Sequence, residues 1–145
     1  MTNLIMLVED DMDHAELVIR ALTEHRITNC IRHFLDGKSA LDYLFRRNGY
    51  DDPAMSPRPR IILLDLHLPR VDGIEVLITI KASEELRVIP VVILTTSSAE
   101  KDIAGAYSNH ANSYLVKPLG CEEFLKLMEN LCFYWLGSNT LLDPK

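Results

Sequence analysis

Residues 60–73 read Arg-Ile-Ile-Leu-Leu-Asp-Leu-His-Leu-Pro-Arg-Val-Asp-Gly, and this stretch decides the fold. Ile61 to Leu64 form an unbroken apolar run, too short for a helix and without the alternation of a half-wet strand. Such a run reads as a strand covered on both faces, as in a parallel sheet. It ends on a carboxylate, Asp65, which is costly beside a core unless paired or metal-bound. Pro69 and Gly73 then turn the chain into a helical pattern over Asp72–Ala82.

The same alternation extends in both directions. Upstream lie a strand at Asn3–Val8, a helix at Met12–His25, a short strand at Ile27–Phe34 and a helix at Gly37–Arg47. A loop at Asn48–Pro59 follows, holding Gly49, Pro53, Pro57 and Pro59. Downstream lie a strand at Pro90–Thr95, a helix at Ala99–His110, a strand at Ser113–Val116 and a strongly periodic helix at Cys121–Leu136. Five βα units predict an α/β fold, a parallel sheet with helices on both faces and right-handed crossovers.

The chain has 145 residues, 48% hydrophobic and 25% charged, and a net charge of −6. That length fits one domain with its own core and excludes fibrous or broadly disordered classes. The acidic balance opposes non-specific binding to nucleic acid or anionic membrane. The apolar run Leu4–Val8 has no basic residue before it and is too short for a signal sequence or a membrane span. A cytoplasmic protein is expected. Cys30, Cys121 and Cys132 form no CxxC pair and read as buried or half-buried reduced thiols.

In an open parallel sheet, ligands bind beyond the carboxyl ends of the strands. There the sequence places Glu9, Asp10 and Asp11 after the first strand, Asp65 after the third, Thr95 and Thr96 at the fourth, and Lys117 then Pro118 after the fifth. Glu9, Asp10 and Asp65 bring three negative charges together; Lys117 offsets one, and a divalent cation matches the other two. An all-oxygen set selects Mg²⁺ or a similar hard ion such as Mn²⁺, which takes one or two carboxylates plus phosphate oxygens. An acidic run such as residues 9–11 is more often a solvated turn or a helix cap. Asp11 or Asp13 fits that role for the first helix. The conjunction of four strand ends favours a site.

Four stretches, in this order, resemble the receiver domain of two-component response regulators. They are Leu7-Val8-Glu9-Asp10-Asp11, Leu63 to Gly73, Pro90-Val91-Val92-Ile93-Leu94-Thr95-Thr96, and Tyr114-Leu115-Val116-Lys117-Pro118. The resemblance covers residues 3–135 and implies a flavodoxin-like, doubly wound (βα)5 sandwich with strand order 2-1-3-4-5. It implies that Asp65 is the phosphoacceptor for a sensor histidine kinase. Glu9, Asp10, Asp65 and the backbone carbonyl of His67 would hold the cation. Lys117 would pair with the phosphoryl oxygens. Thr95 would donate to the phosphoryl group, with Tyr114 as the aromatic switch. The Lys117–Pro118 peptide would be cis, and Gly73 would permit the turn after Asp65. His67 and Thr96 depart from common residues at their places and would modulate access and dephosphorylation. His14, His25, His33 and His110 share no ligand spacing and read as surface residues.

The long 48–59 loop and the ending Phe133-Tyr134-Trp135-Leu136, followed by an apolar tail at 137–145, resemble stand-alone regulators paired with bacterial and cyanobacterial phytochromes. Three consecutive aromatics cannot share one helix face. A homodimer through helix 4, strand 5, helix 5 and the tail is therefore expected. Too few residues follow position 136 for a DNA-binding helix-turn-helix, so no direct DNA contact is expected. A magnesium phosphatase is the alternative enzyme reading, but His67 stands where common aspartate-nucleophile phosphatases carry a second acid. A flavin or nucleotide module would need glycines and free N–H groups where the first strand ends in acids. A pseudo-receiver is disfavoured because every site residue is present.

Overall fold

The alternation of apolar runs and helical periods folds as five parallel strands and five α-helices. The structure, a computed structural model, describes residues 4–25 and 30–142. The elements are β1 (Leu4–Val8), α1 (Met12–Glu24), β2 (Cys30–Phe34), α2 (Gly37–Leu44), β3 (Ile61–Leu64), α3 (Gly73–Ala82), β4 (Val91–Thr95), α4 (Glu100–Ser108), β5 (Ser113–Val116) and α5 (Cys121–Leu131). The expected strand starts at Asn3 and at Ile27 lie outside the described residues, as do positions 143–145 of the tail.

The sheet order is β2-β1-β3-β4-β5, all parallel, as the resemblance implies. Alternate residues of each strand feed two cores. Met6, Val8, Ile62, Leu64, Val91 and Ile93 pack with residues of α2, α3 and α4. Ile5, Leu7, Ile61, Leu63, Val92 and Leu94 pack with residues of α1 and α5. Burial on both faces explains why these strands read as continuous apolar runs.

Register aligns the carboxyl ends. Val8 lies opposite Leu64, and Thr95 lies opposite Val116. The next residues after β1, β3 and β5 are Glu9, Asp65 and Lys117, so they emerge at one edge beside Thr95. Asp11 caps α1, accepting from Asp13 N at 2.9 Å and His14 N at 3.1 Å, which places the acidic turn at this edge.

The 48–59 loop is anchored. Buried Tyr43 donates its hydroxyl to Pro57 O at 2.5 Å, and its ring lies 5.3 Å from those of Phe34 and Tyr50. Helix α2 stops at Leu44, short of the expected Arg47. Arg46 and Asn48 adopt φ of 54° and 52°, a left-handed turn that ends the helix.

At the C-terminal end the continuous helix expected to Leu136 widens. Cys132–Ser138 form a π-helical segment, closed by Asn139 N donating to Tyr134 O at 2.6 Å. Wider turns re-phase side chains, which spacing at 124, 128, 131, 132 and 135 does not reveal. Trp135 packs on the α1/α5 core, whereas Phe133 and Tyr134 are 73% and 54% exposed. Arg60 Nη2 donates to Leu141 O at 3.1 Å and ties down the tail. Of the cysteines expected inside, Cys132 is buried and Cys30 and Cys121 are exposed, because the latter two stand at element starts. Among the described residues no helix is long and apolar enough to cross a membrane.

Candidate functional site

Glu9, Asp65, Thr95 and Lys117 are four of the few buried polar side chains, and all four stand at strand ends. Lys117 Nζ contacts the Glu9 carboxylate and lies 3.1 Å from Asp65 Oδ2. Carboxylate oxygens of Glu9, Asp10 and Asp65 all fall within 4.8 Å of one another, with Asp10 exposed. Three hard oxygen donors, with the outermost facing solvent, fit a divalent cation that keeps part of its water shell.

The two buried carboxylates differ. Burial pushes the Glu9 carboxyl up to about 7, against the hydrogen bond from Lys117. Burial opposes ionisation of Asp65 too, yet the Lys117 charge and hydrogen bond hold it below the usual carboxylate range, with Glu9 and the Thr95 hydroxyl adding hydrogen bonds. Asp65 is thus the ionised carboxylate at neutral pH. A cation must displace the Glu9 proton to use that oxygen, so affinity rises with pH. Mg²⁺ titrations by calorimetry are expected to tighten between about pH 6 and about pH 8 with proton release. An affinity flat across that window would exclude Glu9 as a protonated ligand.

Thr95 is fully buried, and its Oγ1 lies 3.5 Å from Ser97 N. Tyr114 on β5 is half-buried and donates its hydroxyl to Ser97 O at 2.9 Å. Ser97 Oγ donates to Asp102 Oδ2 of α4 at 2.5 Å. One residue, Ser97, therefore joins Thr95, Tyr114 and α4. Nothing in the sequence marks Ser97 or Asp102, since a serine and an acid at a helix start are common capping residues. His67 and Thr96 are exposed. His67 N donates to Asp65 Oδ1 at 3.3 Å, and its ring Nε2 lies 3.9 Å from Asp102 Oδ2, turned toward α4.

Three expectations are corrected. No cis peptide occurs among the described residues, so Lys117–Pro118 is trans; an X–Pro bond prefers trans by about 0.5–1 kcal/mol. Gly73 permits the turn by its missing side chain and not by a left-handed φ. It is required because a Cβ there would stand 2.1 Å from Asp65 O and 2.5 Å from Leu66 Cα. His14, read as a surface residue, is half-buried with Nδ1 3.1 Å from Lys117 Nζ. His33 is also half-buried and bonds Glu9 O through Nε2 at 2.7 Å, because β2 runs beside the carboxyl end of β1.

A doubly wound sheet with this acidic cluster, buried lysine and buried threonine at one edge defines a receiver. The response regulator receiver domain model matches residues 5–129, and the chain belongs to that family. It is 51% identical over 141 residues to the probable methanogenesis regulatory protein FilR2 of Methanothrix harundinacea, covering 97% of this chain and 88% of that one. It is 39% identical over 137 residues to response regulator Rcp1 of Synechocystis sp., covering 94% and 91%. The Mn²⁺-bound structure of Rcp1 superposes with a TM-score of 0.92 over 97% of this chain and 99% of that one, at 38% identity. The phosphorylated cyanobacterial phytochrome response regulator RcpA gives 0.92 over 99% and 100%, at 36% identity. The chain is a phosphorelay signalling protein homologous to phytochrome response regulators.

Proposed function

We propose that Asp65 accepts a phosphoryl group from the phosphohistidine of a sensor histidine kinase of phytochrome type. The observation that carries this is the ionised Asp65 carboxylate beside Lys117 within a three-carboxylate cluster. In this reading Mg²⁺ would be held by Glu9, Asp10, Asp65 and the His67 carbonyl. It supplies the charge that lets an anionic phosphoryl group approach an anionic nucleophile. The Asp65 oxygen attacks phosphorus, the bond to the kinase histidine nitrogen breaks, and Lys117 bonds a phosphoryl oxygen. The acyl phosphate adds about −2 where Asp65 carried a single charge. Thr95 turns its hydroxyl toward that excess. Tyr114 leaves Ser97 and swings inward, biasing α4, β5 and α5. Thr96 and exposed His67 flank the approach and modulate dephosphorylation.

The test is phosphoryl transfer from a radiolabelled kinase. Label on this chain that hydroxylamine releases supports an acyl phosphate; hydroxylamine-resistant label overturns it. The 51% identity to FilR2 favours a second reading, a kinase that does not sense light. Faster transfer from a phytochrome kinase than from other sensor kinases decides for the first; the reverse order decides for the second.

The chain acts in the cytoplasm as a single receiver domain over 1–145. It is a phosphoacceptor rather than an enzyme on other substrates, and its output leaves by protein contact without DNA binding. A second copy docks through α4, β5, α5 and the tail. Exposed Phe133 and Tyr134 support this, with Trp135 and Leu136 closing the segment beneath them. Beside them lies a groove of about 390 Å³ along β5, lined in part by Leu115, Leu127 and Tyr134. Light scattering is expected to give a dimer for the full chain and a monomer after deletion from Gly137. An unchanged dimer, or a monomeric full chain, sinks this interface.

A further inference from the structure

We propose that His14 is a positioning residue for Lys117, the acceptor that neither a cation nor a phosphoryl group takes away. This rests on Asp65 being the phosphoacceptor. An ammonium has three N–H donors and no acceptor. Lys117 Nζ has three partners: the Glu9 carboxylate, Asp65 Oδ2 at 3.1 Å and His14 Nδ1 at 3.1 Å. Because the ammonium can only donate, Nδ1 accepts through its lone pair, and the neutral ring carries its hydrogen on Nε2. Asp11 Oδ2 lies 3.7 Å from Nδ1, beyond hydrogen-bond length, and does not compete for it.

The ring is held for this task. Its backbone N–H is fixed on the Asp11 cap at 3.1 Å, and its face lies against Phe124 of α5, with centroids 6.0 Å apart at 30°. Phe124 is itself buried. Three helix and strand elements therefore meet at one nitrogen: α1 supplies the imidazole, α5 backs it, and β5 delivers the lysine.

The three bonds respond differently to the reaction. A cation claims oxygens of Glu9 and Asp65, and the phosphoryl group then claims an Asp65 oxygen. His14 offers neither charge nor oxygen to the cation and keeps its bond throughout. Lys117 stays over the reacting carboxylate while its other partners change, so its charge needs no reorientation during transfer.

The experiment uses the full chain and compares wild type, His14→Leu and His14→Asn. Phosphorylation by acetyl phosphate in saturating Mg²⁺ is followed by intact mass against time. His14→Leu keeps a helix-compatible, half-exposed side chain without an acceptor and is expected to react about tenfold more slowly. His14→Asn puts its Oδ1 at the branch position of Nδ1 and is expected to restore most of the rate. In ¹⁵N-labelled protein, the Lys117 ammonium protons exchange slowly in wild type and His14→Asn and are lost to exchange in His14→Leu. If His14→Leu does not fold, His14→Ala takes its place. Equal rates for wild type and His14→Leu, or an asparagine variant as slow as leucine, overturn the proposal. A wild type that gains no phosphoryl group counts against Asp65 as acceptor. The ammonium signal then decides the His14 contact by itself, and equal exchange in all three proteins overturns it.

Discussion

Asp65→Asn is expected to abolish the gain of a phosphoryl group from acetyl phosphate in Mg²⁺, while the wild type gains one. The amide has nearly the shape of the carboxylate and can still accept from His67 N, which bonds Asp65 Oδ1 at 3.3 Å. It has no anionic oxygen to attack phosphorus. The neighbouring acids do not substitute. Buried Glu9 is pushed up to about 7, and the oxygen it frees when Mg²⁺ displaces its proton would be taken by the cation. Asp10 is exposed and pairs with no ammonium among the described residues, whereas Lys117 lies 3.1 Å from Asp65. Phosphoryl transfer depends on placement and charge neutralisation more than on covalent chemistry. On the proposed reading, the carboxylate held beside Lys117 and within the acidic cluster is the one expected to react. Intact mass after equal incubation is the measurement. An adduct on Asp65→Asn equal to that on wild type would move the acceptor elsewhere. The variant also loses one cation ligand, so Mg²⁺ binding to Asp65→Asn itself, measured by calorimetry, separates loss of nucleophile from loss of metal.

Much of this site could be read from the sequence because parallel sheets turn a one-dimensional pattern into a place. Glu9, Asp65, Thr95 and Lys117 each end an apolar run, and strand register brings ends of runs together whatever lies between them. Asp65 after Ile-Ile-Leu-Leu carried the most information, since a carboxylate against a core needs a partner. His14 carried none. Its contact spans 103 positions to Lys117 and depends on how α1 leans on α5. No spacing within α1 reports that. Gly73 was legible as a necessary glycine, but the reason lay in the return of Asp65 O to within 2.1 Å of a would-be Cβ. The Lys117–Pro118 geometry came from resemblance alone and was not this chain's. The widening at Cys132–Ser138 was illegible because apolar spacing cannot distinguish the last turn of an α-helix from a π turn.

Lys117→Met is expected to produce the largest loss of cation-free stability of any single change at the site, and Mg²⁺ should return part of it. Lys117 is 3% exposed and sits between Glu9 and Asp65, which are 1% and 9% exposed. Methionine fills the stem volume but leaves two buried carboxylates facing each other without a counter-charge. Breaking a buried pair in this way costs about 3–5 kcal/mol, on the order of 10 °C in the thermal midpoint for a chain of this size. The carboxylates can escape part of the cost by binding protons. Without the lysine, both acids titrate above their unfolded values, so the native state holds more protons than the unfolded one. Stability then falls as pH rises through those values. The deficit should be small near pH ~5 and large near pH ~8. A divalent cation supplies the missing charge at the same place, so Mg²⁺ should raise the variant's midpoint more than the wild type's, by preferential binding to the native state. Phosphoryl capture should still be slow, because the cation cannot also occupy the position of Lys117 over the incoming oxygens. Thermal melts at two pH values, with Mg²⁺ and with chelator, read all of this. A variant whose midpoint matches the wild type's in chelator at high pH would show that Lys117 does not hold these carboxylates together.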